Sequence, residues 1–142
     1  MPEVHLVVGC AVILLNLVAG AVGGIAWFRD RPSIPFWYLL RAAQASVFLQ
    51  VMLGGLLVFT NHEPEDSLHY VYGLAPLLVS FLAEGARTGA AQRELGDTDF
   101  ETLPAQRQES LALAIVRREM GIMAVSCWVI LFLALRAATT GA

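Results

Sequence analysis

Four apolar stretches, about Val4–Trp27, Trp37–Thr60, Ser67–Arg87 and Ile115–Leu135, fill most of this 142-residue chain. A bilayer core of about 30 Å is crossed by roughly 20 helical residues, so each stretch has the length of a span. Lipid offers backbone N–H and C=O groups no partners, and a helix satisfies them within one segment. The expected fold class is therefore all-α, an integral membrane four-helix up-down bundle with four transmembrane helices in a single membrane domain, residues 1–142. Hydrophobic residues make up 57% of the chain and charged residues 15%, with a mean hydropathy of +0.64, more than a soluble core of this size requires.

The charges set an expected orientation. All nine basic residues are arginines. Arg29 and Arg31 lie in the first loop, and Arg87, Arg93, Arg107, Arg117 and Arg118 lie in or beside the third, whereas the second loop, "NHEPED", has none. The positive-inside rule then puts the first and third loops in the cytoplasm and both termini outside, with Arg136 alone against that assignment. The N-terminus carries Glu3 and His5 but no Lys or Arg ahead of the first run, and no small-residue cleavage site, so a cleaved signal peptide is not expected. Membrane lipid is the expected partner, with a membrane protein or a second copy of the chain as a further one. No nucleic acid partner is expected at a net charge of -3 without a nucleotide, zinc or serine-hydrolase motif.

Short loops, "RDRPSIPF" and "NHEPED", join the first three helices as antiparallel neighbours. The third connection, about 88–114, is longer and mixed in charge. Helix 3 is expected to run a turn or two past the membrane, "GDTDFETL" to turn, and helix 4 to start near Pro104. This segment is either a solvated connector or a docking surface. Pro64, Glu65 and Asp66 signal the start of helix 3, as Pro2 and Glu3 do for helix 1. Trp27, Trp37 and Tyr38 mark the inner interface, and Tyr70 and Tyr72 the outer.

Two of the three histidines stand in matching contexts, "HLVVG" from His5 and "HYVYG" from His69, each near the start of an apolar run. Helical offsets of 4, 7, 11, 15 and 18 return near the starting direction. From His5 they give Gly9, Val12, Asn16, Gly20 and Gly23; from His69 they give Gly73, Pro76, Ser80, Glu84 and Arg87. Polar groups inside a membrane face the bundle interior, so the two stripes are expected to face each other or a shared cavity, with both histidines at one depth. A glycine one turn from a histidine either lets helices pack closely or leaves room for a flat macrocycle whose metal the imidazole ligates.

Helix 2 contributes "LQVMLGGLLVF", with Gln50 near mid-membrane and Gly54 one turn above it. Together with E-x-H at the start of helix 1, the Arg-containing loop and "LHYVYGLAPLL", this order resembles one four-helix half of the haem A synthase family over residues 3–82. Members of that family are pseudo-symmetric bundles whose halves each carry an outer histidine pair able to hold haem. The resemblance implies haem b as cofactor, His5 and His69 as ligands of its iron, and Gly9, Gly73, Gln50, Gly54 and Gly55 beside the macrocycle. Only one half is present, and no cysteine lies in an outer loop. The resemblance thus implies haem binding in electron transfer or haem handling more directly than it implies the family's membrane oxidoreductase activity, and no catalytic residue is assigned.

Other residues carry competing readings. "HEPEDSLH" offers His62, Glu63, Glu65, Asp66 and His69 as a mixed imidazole and carboxylate metal site, though acidic helix-start chemistry also explains it. Cys10 and Cys127 are packing residues or a pair joining helices 1 and 4. Arg41, Arg117 and Arg118 can snorkel to the inner interface, and Glu84 is spaced to pair with Arg87. The competing class of function is a non-catalytic accessory or scaffold subunit of a larger membrane complex, in which the small-residue stripes only pack helices.

Overall fold

The computed structural model describes residues 2–141. Four long helices account for nearly all of them: α1 (Pro2–Phe28), α2 (Ile34–Phe59), α3 (Leu68–Leu95) and α4 (Ala105–Thr140), with one short 3-10 turn at Phe100–Thr102. The helices pack around a ring in which α4 lies along both α1 and α3 and α2 lies along α1. α2 and α3 meet over a much shorter stretch, and α1 and α3 stand diagonally opposed.

α1, α2 and α4 are long and apolar enough to cross a membrane. α3 has the length, but His69, Tyr70, Tyr72, Pro76, Ser80 and Glu84 thin its apolar content, and it does not reach the same standard as a span. The surface is rich in apolar side chains, among them Leu6, Phe28, Phe59, Leu78, Phe81 and Phe132. Such faces suit hydrocarbon around a helix bundle rather than water.

Local signals explain the helix ends. Ser33 caps α2 by accepting the Phe36 N–H at 3.3 Å, with Pro35 in the first turn. α2 thus begins three residues before the expected Trp37. Pro64, Glu65 and Asp66 do not open α3; Asp66 lies just outside it, and its carboxylate accepts the Leu68 N–H at 2.9 Å. The third connection is mostly helical, since α3 reaches Leu95 and α4 starts after Pro104, leaving only 96–104 as a link. Gly96, at a φ of 54° that favours glycine, ends α3.

The main core gathers Ala19, Phe36, Leu40, Ala83, Met120, Met123, Ala124 and Cys127 in the half of the bundle nearest the α1–α2 turn. A smaller cluster of Val12, Val47 and Ile130, backed by Leu77, Val79 and Ala134, lies nearer the other end. The predicted stripes face inward: Val12, Asn16, Gly20 and Gly23 are buried on α1, and Pro76 and Ser80 on α3. Asn16 satisfies itself on its own helix, donating to Val12 O at 2.8 Å. Cys127 is buried and Cys10 exposed, both free, so neither joins α1 to α4.

Candidate functional site

His5 and His69 meet across the diagonal of the bundle, at the end formed by the starts of α1 and α3 and the finish of α4. Their ring centroids are 6.1 Å apart and the rings are inclined by 59°. Both rings are half-buried.

Each ring is held differently. His69 Nδ1 lies 3.0 Å from the carbonyl oxygen of Ala137 on α4. A carbonyl only accepts, so Nδ1 carries the proton and the Nε2 lone pair of the neutral ring is free, the arrangement that orients metal-ligating imidazoles. Gly141, just past the end of α4, lets the ring lie there, since a Cβ at this position would come within 2.6 Å of it. His5 Nε2 accepts from Gln50 Nε2 on α2 at 3.1 Å. His5 Nδ1 and Gln50 Oε1 are buried without a hydrogen-bond partner. An unpartnered buried polar atom costs about 1–3 kcal/mol, so this corner is polar beyond what the fold requires.

The glycines divide into two groups. A Cβ on Gly9 would lie 3.1 Å from Gln50 Nε2, and one on Gly54 would lie 3.3 Å from His5 Cε1; these two allow His5 and Gln50 to come together. A Cβ on Gly73 or Gly55 would meet nothing within 4 Å. Gly73 thus faces open space on the half-buried side of α3, one turn from His69, while Gly55 is exposed on α2.

His69 Nε2 has a free lone pair, whereas that of His5 Nε2 is taken by the Gln50 amide, so His5 could ligate a metal only by giving up that bond. Metal–nitrogen bonds of about 2 Å on either side of one ion set ring centroids roughly 6 Å apart, which the observed separation meets. No described group of three or more His, Cys, Asp or Glu residues could hold a metal ion. The "HEPED" residues form no such cluster, and His62 turns back onto its own loop, donating from Nδ1 to Thr60 O at 3.0 Å.

A second polar cluster lies toward the opposite end. Glu84 on α3 takes Arg41 Nη1 at 2.5 Å and Gln44 Nε2 at 2.8 Å, both from α2, and Arg87 Nη2 at 2.8 Å. Arg87 reaches on to Glu119 of α4 at 3.6 Å, and its guanidinium lies 5.8 Å from the Trp37 ring centroid. The Glu84–Arg87 pair expected from spacing is thus part of a network tying three helices. Arg41 binds Glu84, while Arg117 and Arg118 pair with Asp30 and Glu94.

Sequence reasoning missed the contribution of α4. The Ala137 carbonyl carries no side-chain signal. The Gly141 position could have been found, because in an up-down bundle the finish of α4 reaches the level at which α1 and α3 begin. Comparisons of this chain with protein-family models, curated proteins and solved structures return no match.

Proposed function

We propose that this chain is a membrane protein in which α3 joins the three apolar helices as a fourth span, with both termini on the outer side, and that His5 and His69 hold a haem b between them for electron transfer or haem handling. The observation that carries the reading is the pair of imidazoles brought from diagonally opposed helices to a centroid separation of 6.1 Å. The resemblance of residues 3–82 to half of a haem A synthase points the same way. A haem held by His5 and His69 would supply one-electron chemistry.

The chain's own residues have definite parts in this reading. His69 presents Nε2 because Ala137 O holds Nδ1–H. Gln50 positions His5 and is itself placed by Gly9. Gly73 leaves room beside His69 for the face of a macrocycle, and Gly54 lets the His5 ring lie against α2. α3 tolerates its own polarity because Ser80 bonds to Pro76 O at 2.9 Å and Glu84 is fully paired.

The purified protein, as isolated or after haem addition, is expected to show a Soret band that is lost in both His5→Ala and His69→Ala. A protein that stays colourless with added haem overturns the reading. So does a Soret band that persists unchanged in either variant.

A further inference from the structure

We propose that the cleft at the end of the bundle away from the histidines binds the phosphodiester headgroup of an anionic phospholipid. The cleft, of about 180 Å³, opens where the α1–α2 turn meets α4. Pro32, Leu113 and Met120 give it an apolar floor, and Asp30, Arg31 and Arg117 give it a charged rim. This inference rests on the membrane character of α1, α2 and α4 and is independent of haem.

The rim is built from several elements. Arg117 is fixed from two directions, by an ion pair with Asp30 and by its guanidinium lying 5.7 Å from the centroid of Trp27. Trp27 is itself seated on α4, because a Cβ on Gly121 would come within 2.7 Å of the indole nitrogen. The turn is closed by Arg31 N–H donating to Ala26 O at 3.0 Å, with Asp30 at a φ of 52°. Arg29 and Arg31 flank Asp30, and neither forms an ion pair among the described residues.

Charge selects the ligand. Arg31 and Arg117 line the cleft against the single carboxylate of Asp30, and Arg29 precedes it in the same turn, so the locality is cationic although the chain is net acidic. Guanidinium groups in a fixed fork suit phosphate oxygens, and the apolar floor suits the glycerol and first methylenes of a lipid rather than a free ion. Trp27 puts the cleft at the level where headgroups lie, and basic clusters at that level attract anionic lipid. A second cleft, of about 320 Å³ between α3 and α4, has Glu94 beside Arg107 and no such excess.

The test is native mass spectrometry of the full chain in neutral detergent, titrated with phosphatidylglycerol or with phosphatidylcholine of the same acyl chains. The wild type is expected to retain phosphatidylglycerol in preference. Arg31→Gln should weaken that retention about fivefold, the effect of one basic residue at an anionic surface, and Arg31→Gln with Arg117→Gln by more. Arg136→Gln, at the other end, should leave it unchanged. Arg31 lies in an exposed turn without an ion pair, so its single variant decides the matter even if the double variant does not fold. Equal retention of the two lipids by the wild type, or retention unaltered by Arg31→Gln, overturns the proposal. Displacement of phosphatidylglycerol by millimolar inorganic phosphate also overturns it, by assigning the cleft to the free anion.

Discussion

At the end of the bundle near the α1–α2 turn, the glycines that α1 and α4 turn toward their neighbours are filled, and the carboxylate of Glu84 is paired. The Phe36 ring, 0% exposed, occupies the place a Cβ on Gly23 would need, Trp27 occupies that of Gly121, and Trp128 donates to Gly20 O at 3.2 Å while covering that glycine. Glu84 is bonded by three side chains. At the histidine end, Gly55 and Gly73 face open space, and His5 Nδ1 and Gln50 Oε1 are buried without partners. Glycine and polar residues recur along one stripe of α1 and of α3, yet the same pattern is closed by packing at Gly23 and left open at Gly73. A small-residue stripe alone therefore does not separate a scaffold from a ligand site; the neighbours of each glycine do.

The contrast breaks most sharply at Gly23. Gly23→Ala should force the buried Phe36 ring to move and cost about 2 kcal/mol, in the range of overpacked cores. Gly73→Ala should instead raise stability by up to about 1 kcal/mol, because alanine is the better helix former and no neighbour must yield. Unfolding of detergent-solubilised protein followed by circular dichroism measures both. Equal losses at the two positions would remove the distinction between the ends.

Glu84→Ala comes next. It strands Arg41 and Arg87, and removing one partner from a well-buried pair costs about 3–5 kcal/mol. The Glu84 side chain is 29% exposed and Arg41 is 53% exposed, so a smaller loss of about 1–2 kcal/mol is expected. At the histidine end, His5→Leu combined with Gln50→Leu should change the stability of the haem-free protein by less than about 1 kcal/mol, since replacing both partners by apolar groups leaves no polar atom unpaired. The same double variant should abolish haem retention. A large loss of stability there would mean that the His5–Gln50 bond serves the fold.

The architecture was legible because runs of apolar residues and their interruptions are local. Four helices, the turn before Pro104 and the inward stripes from His5 and His69 all follow from spacing along one chain. The second half of α3 shows the limit of that reasoning. Offsets from His69 placed Glu84 and Arg87 on one face, but the approach of Arg41 and Gln44 depends on how far α2 slides along α3, which no periodicity within either helix encodes. The start of α3, expected at about Ser67, falls at Leu68, and Asp66 favours it from just outside rather than from its first turn. At the candidate site, helical arithmetic found His5, His69 and Gln50, whereas Ala137 and Gly141 enter only through the register of α4.

The finest discrimination lies between two adjacent glycines. Gly54 and Gly55 are inseparable in "LGGLL", and the resemblance to haem A synthases would line a macrocycle with both. One residue of helix turns the direction by about 100°, so they cannot serve the same contact. Gly54 faces His5, where a Cβ would stand 3.3 Å from Cε1, closer than ordinary contact, while Gly55 is exposed with nothing within 4 Å. Gly54→Ala should push the His5 ring and weaken or shift the Soret band, with a stability change below about 1 kcal/mol because the helix-propensity gain offsets the crowding. Gly55→Ala should gain the propensity term and leave the spectrum of the haem-loaded protein unaltered. If Gly55→Ala changes the spectrum as much as Gly54→Ala does, the macrocycle extends past the His5 face of α2 and over the exposed face that carries Gly55.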